Sequence, residues 1–333
     1  CRSDGTPLCM VKGLEKSVMA WPKLWKHHGA KAATERINEV AAARKEKWLA
    51  RYGGTVGLEW FFPKALETLM EEPKVYAAAD MFIEAGDWYV WQLVSGIFPA
   101  SDPSDIVRST CQAGYKACWS AEDGYPSPDY LAAVNRKFRN FVQEKIIGQH
   151  MAPGEAAGVL SDSAAKKMGL PAGIPVSAVI IDAHSGVPGA GVAGAGEMVM
   201  VIGTSSCHMM NHTKMQPVRG VAGIVKGGIL PGFYGYEGGQ ASVGDAFAWV
   251  ANSTGISHDK LNEEGLKLPP GSGGVIALDF LNGCRSPLMD PNMSGGFLGI
   301  TLNTTPAQMY RAMIEATAFG AKWFIETLRA KNI

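Results

Sequence analysis

The sequence predicts an α/β protein, and two observations carry that expectation. Runs of helix formers are mixed with short apolar runs that end at aspartate or glycine, as in sheets covered by helices. A hydrophobic content of 47% supplies a core, and 40 glycines supply tight turns and close backbone approaches. The 333 residues have room for about two domains.

In chain order, residues 30–50 read as a helix with Ile37, Val40, Trp48 and Leu49 on a buried face, stopped by Gly53 and Gly54. Further helices are expected over 60–70 and 85–93. Residues 97–128 are rich in turn formers and read as loops with short strands, and 130–147 read as helix. Residues 164–168 close another helix, and the turn 169–173 leads into a buried strand, 176–181, ending at Asp182. A second apolar strand, 198–202, ends at Gly203. Short strands over 219–237 precede helices at 242–252 and 305–328. No repeat or low-complexity linker interrupts this order.

Thirty-one basic and 31 acidic residues balance, so no net field recruits nucleic acid or an anionic membrane. The six cysteines lack C-x-x-C spacing and read as reduced thiols. No signal peptide is apparent. The most apolar span, Ala183 to Gly196, falls short of the roughly 20 residues that cross a bilayer. A soluble, cytoplasmic chain is expected. It opens on Cys1 within a turn-like segment and stops at Ile333 after a helical pattern, which reads as a piece cut from a longer protein.

Three stretches invite chemistry. Asp182, just beyond an apolar strand, reads as facing the crevice where open α/β sheets bind ligands or as the cap of the following helix, two roles that do not exclude each other. Gly203-Thr204-Ser205-Ser206 is either an anion cradle of hydroxyls and exposed N–H groups or a hairpin turn. Gly189 to Gly194 fits the pattern G-x-G-x-x-G, but no helix can follow before the next strand, so a small-residue helix packed against neighbouring backbone is the better reading. His208 and His212, or His27 and His28, have no cysteine or carboxylate to complete a metal set, and read as ordinary polar or surface histidines. Ser205 and Ser206 lack a nucleophile elbow.

Together these pieces resemble the FGGY carbohydrate kinases. Gly295-Gly296-Phe297-Leu298-Gly299-Ile300, followed after seven residues by Gln308-Met309-Tyr310-Arg311-Ala312-Met313-Ile314-Glu315, is similar to a signature of that family. So are Gly169 to Asp182 and Ala85 to Gly96, and the likeness covers essentially the whole chain. Within the family, Leu24 to Ala30, Ala113 to Trp119, Asp182-Ala183-His184 and Tyr236 to Gln240 resemble the ribulokinases.

The resemblance implies two actin-like ATPase domains of the ribonuclease H-like kind, with sugar and ATP in a cleft between them. It implies a sugar-binding part over 1–195 and a nucleotide-binding part over 196–333. Asp182 would be the catalytic base, and Lys116 and Glu237 would hold the ketopentose. Gly203, Thr204 and Gly244 would meet the ATP phosphates, with Mg2+ as cofactor and no metal ligand assigned in this chain. The implied reaction turns L-ribulose and ATP into L-ribulose 5-phosphate and ADP, as in L-arabinose catabolism, and a homodimer is compatible with it. A xylulokinase-like enzyme, or an inactive remnant that binds sugar or a partner, is the alternative. Two family features have no counterpart here: the Asp-Phe-Gly-Thr-like hairpin that meets phosphates and metal, and the Gly-Gly segment that packs on adenosine. The chain alone is therefore expected to bind nucleotide poorly and to show no turnover.

Overall fold

Helix α1 (Lys31–Arg44) buries Ile37 and Val40, and ends where Lys45 takes a left-handed conformation at φ 54°. A 3-10 turn (Lys47–Tyr52) then buries Trp48 and Leu49. These are details of a computed structural model, which describes residues 1–25 and 27–333. By contact the chain divides into two units. One comprises Cys1–Leu49, Thr55–Ser185 and Val225–Gly235; the other comprises Ala50–Gly54, Gly186–Ile224 and Tyr236–Ile333.

The first unit continues with α2 (Phe61–Glu71), α3 (Pro73–Ala78) and α4 (Ala85–Ser95). Strand β1 (Val107–Ser109) leads directly into α5 (Thr110–Ala117), and α6 (Pro128–Val134) and α7 (Phe141–Lys145) follow. Strand β2 (Gln149–Met151) pairs in parallel with β1. Strand β3 (Ala156–Val159), α8 (Asp162–Met168) and β4 (Pro175–Ser177) complete this part, with β3 and β4 antiparallel. Aromatic rings fill its interior: Phe138 stacks on Phe141 at 4.4 Å, and Phe62 and Phe82 meet Phe141 at 5.5 and 5.4 Å. Edge-to-face and offset rings add specificity to a large apolar burial.

Helix α9 (Asp182–Gly189) precedes a four-stranded sheet with order β5-β6-β8-β7. Its strands are β5 (Met198–Ile202), β6 (Ser206–His212), β7 (Gly223–Lys226) and β8 (Tyr234–Gln240). The second unit then adds α10 (Gly244–Thr254), α11 (His258–Leu266), β9 (Ile276–Leu278), β10 (Gly296–Leu298) and α12 (Pro306–Arg329). Its core joins Ala246 and Val250 of α10, Leu261 of α11, and Tyr310 and Met313 of α12. Thr305 and Gln308 form a reciprocal capping box that fixes where α12 starts.

Four expectations are corrected. Residues 110–117 are helix rather than loop, because the Ser109 hydroxyl accepts from the Cys111 N–H and packing buries nearly every residue of the segment. The run 130–147 is broken where Asn135 turns extended (φ −155°) and its side chain caps a new 3-10 turn. The strand expected over 176–181 stops at Ser177, since no described strand lies alongside 178–181. Helix α9 ends at Gly189, and a Cβ at Gly189, Gly191, Gly194 or Gly196 would touch nothing within 4 Å, so these glycines do not serve close packing.

Candidate functional site

In the first unit, Lys116 lies in the last turn of α5, half-buried. No hydrogen bond or ion pair engages its ammonium among the described residues. A half-buried ammonium with open donors is suited to a polar ligand. Its helix is held firmly: the Asp87 carboxylate accepts from the Ser109 N–H at 3.0 Å, and the Tyr115 hydroxyl donates to the Gly235 carbonyl at 2.7 Å. Burial pushes the Asp87 carboxyl up to about 7.

Lys64 of α2 belongs to the same neighbourhood, since the charges of Glu84 and Lys116 both act on it and burial lowers its pKa. Its ammonium donates to the carbonyls of Leu24 and Trp25, at 2.9 and 3.4 Å. One turn along α2, buried Glu67 accepts from His27 Nε2 at 2.9 Å and pairs with Lys23 at 3.2 Å. Helix α2 thus anchors Lys23, Leu24, Trp25 and His27 from two positions. Lys26, within the Leu24–Ala30 likeness, lies outside the described residues. Neither Glu67 nor Lys64 stood out in the sequence, because the partners are some 40 residues away and only the fold pairs them.

Asp182 opens α9 and is exposed. Its Oδ1 accepts from the Ala183 N–H at 2.8 Å, while the Ser185 hydroxyl donates to its backbone carbonyl at 2.6 Å. The second carboxylate oxygen makes no hydrogen bond among the described residues. The aspartate therefore steadies its helix start and still presents an open acceptor.

In the second unit, Gly203, Thr204 and Ser205 form the turn between antiparallel β5 and β6, as Ile202 pairs with Ser206. The α10 N-terminus docks on this turn: Gly244 N–H donates to Gly203 O at 3.0 Å, and Val243 and Asp245 N–H donate to Thr204 O at 2.9 and 3.2 Å. A Cβ on Gly244 would lie 2.6 Å from Gly203 O, so only glycine permits the approach. The Gly203 amide is turned inward to Ser205 O at 2.8 Å. The amides and hydroxyls of Thr204 and Ser205 make no hydrogen bond among the described residues, and Thr204 is exposed. These groups suit a phosphate oxygen. The segment is a hairpin turn, and its donors are those of an anion cradle.

Behind the turn runs a buried polar relay. Gln240 Nε2 donates to Asp279 Oδ2 and to Thr317 O, both at 2.9 Å, which leaves Gln240 Oε1 to accept from His208 Nε2 at 3.2 Å. His208 is therefore the neutral Nε2–H tautomer; burial lowers its pKa, and Ser206 Oγ lies 3.3 Å from the same nitrogen. His208 is 1% exposed, so it is no surface histidine. Ser206 and His208, two residues apart, share one face of β6. Glu237 is buried in β8, whose backbone at that residue accepts from the Ala222 N–H at 2.7 Å. No group of three or more His, Cys, Asp or Glu able to hold a metal occurs among the described residues. Nor is any described helix long and apolar enough to cross a membrane.

Residues 198–333 match the C-terminal domain of the FGGY family of carbohydrate kinases. The chain is 40% identical to the ribulokinase of Bacillus licheniformis, across 99% of this chain and 60% of that protein. It is 43% identical to the ribulokinase of Mycolicibacterium smegmatis, across 99% of this chain and 59% of that protein. The chain thus spans about three fifths of the curated relatives it matches. Its fold is similar to the crystal structure of a xyloylose kinase from Brucella ovis, with TM-score 0.75 and 20% identity over 92% of this chain and 59% of that one. Plasmodium falciparum glycerol kinase with ADP is similar at TM-score 0.71 and 16% identity, over 92% of this chain and 59% of that one. At such identities the likeness establishes the fold, that of the actin-like sugar kinases, and function is argued from the site.

Proposed function

Since the chain belongs to the FGGY family of carbohydrate kinases, we propose that its full-length protein transfers phosphate from ATP to a ketopentose, L-ribulose giving L-ribulose 5-phosphate, as L-arabinose catabolism requires. The observation that carries this reading is Lys116: a half-buried ammonium, held on a well-anchored helix, with its donors open in a chain 40% identical to ribulokinases over 99% of its length. Lys116 and Glu237 hold the sugar. Asp182 accepts the proton of the attacking hydroxyl, a role suited to a carboxylate with one oxygen fixed and one open. Thr204 and Ser205 donate to phosphate oxygens, while Gly203 and Gly244 keep the turn and the α10 N-terminus close together. In this division, residues 1–195 carry Lys116 and Asp182 for the sugar, and residues 196–333 carry the phosphate turn together with Glu237.

Phosphoryl transfer depends chiefly on alignment and on neutralising charge at the transferred group. Mg2+ supplies part of that neutralisation when bound, and it commonly arrives on the nucleotide with few protein ligands. Coupled ADP release by the full-length protein, offered L-ribulose, D-ribulose, D-xylulose and L-xylulose, tests the reading. The expected result is highest kcat/KM with L-ribulose. Preference for D-xylulose would reassign the substrate, and no sugar-dependent ADP release would make the protein a non-catalytic binder.

A further inference from the structure

Glu84 is the residue just before α4, and the fold brings it to the same corner as Lys116. Gly86, two residues on, is where α4 meets α5: a Cβ there would overlap Gln112 Nε2 and lie 3.1 Å from Val179. Gln112 is one turn before Lys116 on the same face of α5, and Val179 lies three residues before Asp182. Asp87 locks the approach by accepting from Ser109 N–H, with Gln112 Nε2 at 3.5 Å. The start of α4 is thereby wedged between the Lys116 helix and the segment that ends in Asp182.

Three cations act on the Glu84 carboxylate: Lys64, Lys116 and Arg108. Two of them are committed elsewhere. Lys64 donates to the carbonyls of Leu24 and Trp25, and Arg108 to those of Ile147 and Phe82 at 2.7 and 2.8 Å. Lys116 remains open, and so does Glu84, whose carboxylate makes no hydrogen bond or ion pair among the described residues. The residue as a whole is half-buried. Burial raises its pKa. A half-buried carboxylate without protein donors is hydrated by water, and a ligand hydroxyl that displaces that water can donate to it. The Glu84 carboxylate supplies an acceptor and the Lys116 ammonium a donor at this corner, so one sugar hydroxyl can meet both kinds of partner.

We propose that Glu84 is a further substrate-binding residue, accepting a hydrogen bond from a hydroxyl of the ketose that Lys116 holds. The proposal rests on the sugar-kinase reading above. Glu84 would add specificity, because a site built to accept from one hydroxyl rejects a sugar lacking that hydroxyl.

The test is steady-state kinetics on the full-length protein carrying Glu84→Gln, Glu84→Ala or, as a control, Lys116→Ala. Both Glu84 variants are expected to raise the KM for L-ribulose roughly 10- to 100-fold, the usual effect of losing a hydrogen bond to a charged group. The KM for ATP and the melting temperature should stay at parental values. Monodeoxy ketopentoses supply a readout that a merely structural role would not move: for one of them, parent and Glu84→Gln should have the same KM. Unchanged L-ribulose kinetics in both Glu84 variants, with Lys116→Ala impaired, would overturn the Glu84 assignment alone. Unchanged kinetics in all three would overturn the sugar pocket itself.

Discussion

Asp182 holds the Ala183 N–H with one carboxylate oxygen and leaves the other open, so its two assignments, helix start and proton acceptor, separate by substitution. Asparagine keeps an oxygen for Ala183 and cannot take a proton. In the full-length protein, Asp182→Asn is expected to lower turnover by about 10²–10⁴-fold, the usual worth of positioned proton transfer. Its melting temperature should match the parent's. Turnover within about tenfold of the parent would leave Asp182 only its helix-capping contact. At this scale the sequence marks residues by type and spacing: Asp182, Lys116 and the Gly203 turn stand out by their motifs. It does not mark residues whose meaning is a distant partner. Glu67 becomes visible only through His27 and Lys23, and Glu84 only through Lys116. His208 and His212 read from sequence as ordinary polar or surface histidines, whereas the strand sends His208 inward to Gln240.

The hairpin turn and α10 form one element-level unit, joined by three backbone hydrogen bonds from the start of the helix to the carbonyls of Gly203 and Thr204. Gly244→Ala would set a Cβ 2.6 Å from Gly203 O, against backbone that cannot swing aside. Overpacking of this kind costs about 1–3 kcal/mol, and because it parts the turn from the helix it should also raise the KM for ATP. Gly194→Ala is the matched control: its Cβ would meet nothing within 4 Å and its φ is not positive. It should leave kinetics alone and stabilise by up to about 1 kcal/mol through the unfolded chain. Chemical denaturation and ATP titration on both variants check the contrast. Equal behaviour of the two would remove the docking role of Gly244. Helices with strong local signals, such as α12 with its Thr305–Gln308 box, are legible from sequence. Helix α5 is not, because it is only eight residues long within a stretch rich in turn formers and is held helical by burial, and the apolar run 178–181 is not, because a strand exists only where a neighbour pairs with it.

Across the molecule, equal numbers of basic and acidic residues leave no net field near neutrality, so a few buried groups shape the pH response. Two of them, both in the first unit, act in opposite senses. Burial and then the Arg108 charge hold His150 down at about 4; its ring stacks on Trp119 at 4.1 Å, and its Nε2 lies 2.9 Å from the Tyr125 hydroxyl. Between about pH 6.5, the free histidine value, and about 4 the unfolded chain binds this proton and the folded chain does not. His150 therefore makes stability rise with pH across that window. Asp87 behaves the other way. Burial raises it to about 7, so between its ordinary value of 3.8 and about 7 the folded chain keeps a proton that the unfolded chain has lost. Asp87 makes stability fall with pH across that window. The two slopes oppose each other from about pH 4 to 6.5 and flatten the profile. Substitution unmasks them. Asp87→Asn, which can still accept from Ser109 N–H, should gain melting temperature relative to the parent as pH rises from about 4 to 7. His150→Phe, which keeps a ring on Trp119 but cannot titrate, should lose melting temperature relative to the parent between about pH 4 and 6.5. Taking each variant as a difference from the parent cancels the surface carboxylates common to both proteins. Parallel differences, or differences independent of pH, would mean that neither group titrates as its burial dictates.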